Sequence, residues 1–153
     1  MPKFETSHHV AHSAGDMFQL VADVEHYPEF VPLCQDLKVR GRKAIDGNRE
    51  LLVADMTVAY KFVSETFTSR VTLDPDNLQI LVEYLDGPFK HLENRWTFVS
   101  DEQRGGCSVN FYIDYEFKSR ALSALMGTMF DRAFRKFSTA FEERATKIYG
   151  ASA

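Results

Sequence analysis

The sequence of 153 residues predicts an α+β fold, in which a seven-stranded, curved antiparallel sheet grips one long C-terminal helix and two short helices follow the first strand. Three observations carry that expectation. From Gln35 to Phe117 apolar and polar residues mostly alternate, broken by turn-forming clusters, as half-buried strands do. From about Ser119 to Tyr149 the apolar positions recur every three or four residues without a proline. Only the first 34 residues mix the two patterns. No repeat, linker or charge block divides the chain, so residues 1–153 read as one domain.

Residues 3–11 form the first expected strand, with Phe4, Thr6, His8 and Val10 on one face and Glu5, Ser7 and His9 on the other. Ser13 is placed to cap a helix, and Asp16 occupies the capping-box position three residues on. Behind them Met17, Phe18, Leu20, Val21 and Val24 have helical spacing. Pro28 and Pro32 bracket a second short helical or turn segment, because proline is tolerated in little beyond a first helical turn. Gly41 and Asp46-Gly47-Asn48, then Asp74-Pro75-Asp76-Asn77, then Gly105-Gly106 punctuate the strands that follow. The clearest apolar faces are Leu78, Ile80, Val82 and Tyr84, then Leu92, Asn94, Trp96 and Phe98, then Val109, Phe111, Ile113, Tyr115 and Phe117. In the last helix Leu122, Leu125, Met126, Met129, Phe130, Ala133, Phe134, Phe137, Phe141, Ala145 and Ile148 oppose Asp131, Arg132, Arg135, Lys136, Glu142, Glu143 and Lys147. Gly150 is its expected stop. Gly127 within it costs about 1 kcal/mol against alanine, which close packing or a bend would offset. A long amphipathic helix after antiparallel strands must lie on their apolar face. That is the helix-grip arrangement, and the gap it leaves favours a pocket.

Composition narrows the function classes. Eighteen basic against 22 acidic side chains give −4, which argues against DNA or general nucleic-acid binding. The longest apolar run, Leu51 to Ala54, is far too short to span a membrane, and the N-terminus lacks the apolar stretch of a secretory signal. Cys34 and Cys107 form no CxxC, so a cytoplasmic, reducing setting is expected. Thirteen Phe, six Tyr, one Trp and five Met suit either a dense core or a cavity for a greasy ligand.

The motifs for chemistry are weak. His8 and His9 point to opposite faces of a strand, and His8 and His12 lie roughly 13 Å apart along it, too far to share a zinc ion. No metal site is expected. No GxSxG surrounds a serine, neither cysteine has a recognisable base beside it, and Gly105-Gly106 leads into a strand rather than a phosphate-binding helix. No catalytic residue is assigned, and an enzyme would need an acid–base pair inside the cavity. Asn94 and Tyr115 fall in inward-facing series, where a polar group must find a partner in the protein, water or a ligand. The face on which Arg70 lies stays open.

Val21 to Cys34 (VADVEHYPEFVPLC), Thr66 to Leu73 (TFTSRVTL), Asp86 to Phe98 (DGPFKHLENRWTF), Phe111 to Phe117 (FYIDYEF) and the ending Ala140 to Gly150 (AFEERATKIYG) resemble the START-like coenzyme Q-binding protein family over nearly the whole chain. The resemblance implies a helix-grip fold with a hydrophobic cavity that binds ubiquinone or a related polyprenyl lipid. Respiration or quinone synthesis would be supported without a catalysed reaction or a required cofactor. The YP-x-F-x-P and DGPFK segments also resemble the bacterial ribosome association toxins, implied to bind the large ribosomal subunit and block subunit joining. His91 to Trp96 looks more like the quinone-binding branch. The targeting extension of mitochondrial members is lacking, which suggests a bacterial form. On the quinone reading Phe18, Val21, Phe30, Val31, Leu92, Asn94, Trp96, Phe98, Phe111, Ile113 and Tyr115 are the expected walls of a tunnel. Met126, Met129, Phe130 and Ala133 would close it, and Asn94 or Tyr115 would donate to a quinone carbonyl. A carrier of this kind would touch the inner membrane peripherally. On the ribosome reading Lys118, Arg120, Arg132, Arg135 and Lys136 would form the contact.

Overall fold

The structure, a computed structural model, describes residues 3–60 and 62–150. Strand β1 (Lys3–Val10) leads into helix α1 (Ala14–Ala22) and a 3-10 turn (Val24–Glu29). Six strands follow: β2 (Cys34–Ala44), β3 (Glu50–Tyr60), β4 (Val63–Asp74), β5 (Gln79–Asp86), β6 (Phe89–Ser100) and β7 (Cys107–Phe117). Helix α2 (Arg120–Tyr149) ends the fold. The sheet has the order β1-β7-β6-β5-β4-β3-β2, antiparallel throughout. Consecutive strands from β2 to β7 are hairpin neighbours, and β1 closes the far edge by pairing Phe4 with Ile113 and His8 with Val109.

The expected elements form for the expected reasons, with one correction. The Ser13 side chain accepts from the Asp16 N–H at 3.1 Å and starts α1. Ser119 does the same for α2 through the Leu122 N–H at 3.2 Å, and Gly150 ends it at φ 86°. Gly41 makes no turn. It lies inside β2, where the register shifts between Val39 and Gly41, because a glycine lets the strand bulge without breaking. Gly106 does turn the chain, at φ 70°, where a Cβ would stand 2.0 Å from the Val10 carbonyl oxygen. A Cβ on Gly127 would meet nothing within 4 Å, so no close approach offsets its cost.

The two faces of the sheet divide as alternation requires. In β7 Cys107, Val109, Phe111, Ile113, Tyr115 and Phe117 are all buried, and the residues between them are half-exposed. The convex face carries ion pairs, including Arg70 with Glu83 at 3.1 Å, which settles the orientation of Arg70. Helix α2 lies over β1, β7 and α1 rather than across the middle of the sheet. Its buried stripe is Met126, Phe130, Ala133, Phe134, Phe141 and Ala145. His8 Nε2 lies 3.2 Å from Glu142 Oε1, and His12 Nε2 lies 3.1 Å from the Thr146 hydroxyl, so these histidines tie the N-terminal segment to α2. His9 donates to the Gly105 carbonyl at 2.8 Å.

The core is solid at both ends. At one end Phe89, fully buried, meets Phe67, Tyr84, Tyr115, Phe117 and Phe130. At the other end α1 packs Met17, Phe18 and Val21 against the sheet, with Phe18 edge-on to Phe98 at 6.0 Å.

Candidate functional site

Between the two solid ends lies a cavity of about 120 Å³. Its floor is the concave face of the sheet: Ala54, Met56 and Val58 on β3, Phe67, Ser69 and Val71 on β4, Ile80 and Val82 on β5, Leu92, Asn94 and Trp96 on β6, and Phe111 and Ile113 on β7. Phe130, Ala133, Phe134, Phe137 and Phe141 of α2 form one wall. Val24, Tyr27, Val31, Pro32, Leu33 and Leu37 form the opposite one. The hollow exists because α2 sits over the β1–β7 side of the sheet, so the faces of β3 to β5 have no helix directly on them. Pro32, Leu33, Met56, Val82 and Phe137 are half-exposed and mark where it opens.

Among the described residues no lining side chain carries a charge and four are polar. The Tyr27 hydroxyl donates to the Val21 carbonyl at 2.5 Å, and burial pushes its pKa far above the ordinary phenol value. Asn94 donates through Nδ2 to the Tyr112 carbonyl at 2.8 Å and accepts from the Trp96 indole N–H at 3.0 Å. Those three residues are therefore bonded within the protein. The Ser69 hydroxyl, in a residue 5% exposed, has no hydrogen-bond partner. Around these groups the aromatic rings are close: Trp96 lies 4.7 Å from Phe111 and 5.1 Å from Phe141, and Phe134 lies 5.3 Å from Phe137.

One wall is fastened to the other. The Arg144 guanidinium on α2 donates to Glu29 at 2.8 Å and lies 5.0 Å over the ring of Phe30. That hydrogen bond holds the Glu29 carboxyl below its usual pKa. Tyr27 and Phe30 meet Phe141 edge-on at 5.5 and 5.1 Å. Leu33 closes this wall at φ 69°, a left-handed conformation that a leucine adopts at a cost of about 1–2 kcal/mol. Its carbonyl accepts from the Ala59 N–H at 3.0 Å, which joins it to the end of β3.

Of the residues expected from sequence, Val31, Leu92, Asn94, Trp96, Phe111, Ile113, Phe130 and Ala133 line this cavity. Phe18, Val21, Phe30, Phe98, Tyr115, Met126 and Met129 do not. Phe18, Val21 and Phe98 belong to the solid end under α1. Tyr115 belongs to the Phe89 end, where burial, with Asp131 adding to it, pushes its pKa up to about 12. Met126 sits one turn before Phe130, the first residue of α2 to line the cavity, and Met129, beside Phe130 in sequence, is half-exposed and outside the lining. Phe30 packs on Phe141 beneath Arg144. The enclosed space is small for a tunnel that would hold a polyprenyl chain: 120 Å³ compares with the roughly 150 Å³ dry cavity that admits one benzene.

Sequence reasoning missed the floor contributed by β3 and β4. Leu51-Leu52-Val53-Ala54 is apolar on both faces, so alternation alone does not orient β3. Ser69 carried no signal of its own. The cysteines are both buried, and burial pushes each thiol up to about 11. Among the described residues no group of three His, Cys, Asp or Glu side chains could hold a metal ion, and no helix is long and apolar enough to cross a membrane.

This geometry has known counterparts. The chain is 33% identical over 151 residues to the ribosome association toxin RatA of Escherichia coli strain K12, covering 99% of this chain and 91% of that protein. It is also 33% identical over 141 residues to the mitochondrial coenzyme Q-binding protein COQ10 homolog B of Xenopus laevis, covering 90% of this chain and 55% of that one. The solution structure of the 18 kDa protein CC1736 from Caulobacter crescentus superposes with a TM-score of 0.80 at 34% identity, covering 99% of this chain and all of that one. The family model for polyketide cyclase / dehydrase and lipid transport matches residues 10–142, from the end of β1 well into α2. A match of that extent, over the sheet and the helix that enclose the cavity, places the chain in the polyketide cyclase/dehydrase and lipid transport family.

Proposed function

We propose that this protein binds the ring of ubiquinone or a related polyprenyl quinone in its central cavity and presents or protects it without changing it chemically. The observation that carries this reading is a cavity with aromatic walls and, among the described residues, no charged lining side chain. Such a site favours transfer of a flat, largely apolar group out of water, at about 25 cal/mol per Å² of apolar surface buried. It supplies no general acid or base, since the Tyr27 hydroxyl is committed to Val21 and held neutral. A coenzyme Q-binding relative aligned along most of the chain supports the same choice of ligand.

The volume bears on how such a molecule would be held. Each buried CH₂ contributes about 0.8 kcal/mol, so a polyprenyl tail gains much by staying out of water. A cavity of 120 Å³ has no room for one. On this reading the ring enters and the tail leaves past Pro32, Leu33 and Met56 into a lipid bilayer, with the protein at the membrane surface. The same reading puts the protein in the cytoplasm, in peripheral contact with the inner membrane.

A second reading has its own observation. RatA is named for ribosome association, and Lys118, Arg120, Arg132, Arg135 and Lys136 are all exposed on or beside α2. Asp131 lies 3.0 Å from Arg135 and weakens that patch. Mass spectrometry of an organic extract of natively purified protein, followed by titration of the stripped protein with quinone, separates the two. Stoichiometric quinone, or micromolar uptake on titration, is the expected result. Refusal of quinone, together with co-sedimentation with ribosomes that disappears as salt is raised, would replace the first reading with the second.

A further inference from the structure

We infer that Ser69 is the hydrogen-bonding contact for the ring oxygen of the bound ligand, an inference that rests on the quinone reading above. Among the described polar side chains of the cavity, Tyr27, Asn94 and Trp96 are satisfied inside the protein, and Ser69 alone keeps an unpartnered hydroxyl. Buried polar groups are nearly always paired, so an orphan hydroxyl aimed into an otherwise apolar space needs a reason. Its surroundings do not provide a partner. Across the sheet Ser69 faces Ala54 on one side and Tyr84 on the other. Ala54 has no polar side-chain atom, and the Tyr84 hydroxyl accepts from the Phe89 N–H at 3.1 Å.

Ser69 and Ala54 are also the smallest side chains of the β3 and β4 floor, set side by side between Met56–Phe67 and Leu52–Val71. Two small residues in register make a depression in the sheet, and the hydroxyl stands in it. A planar ring pushed against the floor would meet this oxygen first. A serine hydroxyl both donates and accepts, so it can donate to the carbonyl of a quinone or accept from the hydroxyl of its reduced form. The ligand class this selects is an apolar ring bearing an oxygen substituent, rather than a bare hydrocarbon chain or a charged headgroup.

The test compares two probes on the full chain by titration calorimetry: ubiquinone-1, and prenylbenzene, which keeps the ring and one isoprene unit but lacks the ring oxygens. Ser69→Ala is expected to weaken ubiquinone-1 about 5- to 10-fold, the worth of one hydrogen bond, and to change prenylbenzene less than about two-fold. Its ligand-free thermal midpoint should rise by roughly 2–4 °C, because the variant no longer buries an unpaired hydroxyl. Trp96, the single tryptophan and a lining residue, reports by quenching that ubiquinone-1 occupies this cavity. If Ser69→Ala leaves ubiquinone-1 binding unchanged, or weakens both probes equally, the Ser69 assignment is wrong while the cavity remains the binding site. If the unaltered protein binds neither probe, the quinone reading itself falls.

Discussion

Ala133 shows at the scale of one residue how a hollow survives in a protein that is otherwise full of aromatic rings. It stands on α2 between Phe130 and Phe134, next to Phe137, and lines the cavity with a single methyl group. Interiors pack closely and empty space in them is destabilising, so small residues at Ala54, Ser69 and Ala133 keep open a void that larger ones would fill. Ala133→Leu should occupy much of the 120 Å³, lower ubiquinone-1 affinity at least about ten-fold and leave the thermal midpoint unchanged or higher. Titration and a melting curve check both parts, and undiminished binding would show that the ring does not lie against α2. Asn94 marks what sequence conveys at this scale. Its place in an apolar series reveals that it points inward, but its partners, the Tyr112 carbonyl and the Trp96 indole, come from register and from a neighbouring side chain. With both amide ends engaged, it serves as a fixed part of the wall.

At the scale of the element, α2 was the most legible feature. Its start at Ser119 and stop at Gly150 follow from cap chemistry that depends on a few adjacent residues. What periodicity leaves unstated is position along the axis. A stripe at three and four identifies the face of a helix that is buried, and both Met126 and Phe130 belong to it. Only the latter reaches the cavity. Gly41 illustrates a different limit, because glycine serves a turn and a strand bulge equally well and only the pairing partner decides. Gly127 offers a direct measurement. Its Cβ position is open, so Gly127→Ala should stabilise the protein by about 1 kcal/mol and raise the thermal midpoint by roughly 2–4 °C. A fall in midpoint would mean that the bare backbone at this site is needed for packing.

For the whole molecule, the shape of the sheet matters more than any one element. The first pair between β4 and β5 joins Thr68 to Asp86, so the hairpin of β3 and β4 runs several residues beyond its neighbour. Phe62 at its turn is fully exposed, and the hairpin starts beside Leu33 at the cavity opening. An aromatic side chain held out in water at the end of a projection suits contact with a bilayer interface. Phe62→Ser should slow extraction of ubiquinone-10 from phospholipid vesicles several-fold. Affinity for ubiquinone-1 in solution and the thermal midpoint should stay as they are. Equal extraction rates would remove the hairpin from the loading step. The same sheet also carries a consequence for how the protein comes into being. Its earliest strand, β1, has β7 as its single strand neighbour and α2 as its cover, and these are the last elements of the fold to be synthesised. Until the ribosome has delivered Cys107–Phe117, the edge of β1 has nothing to pair with, and completion of the sheet waits on contacts more than 90 residues apart, such as Phe4 with Ile113. Folding then belongs to the slow, long-range class, with an open strand edge exposed to neighbouring chains throughout translation.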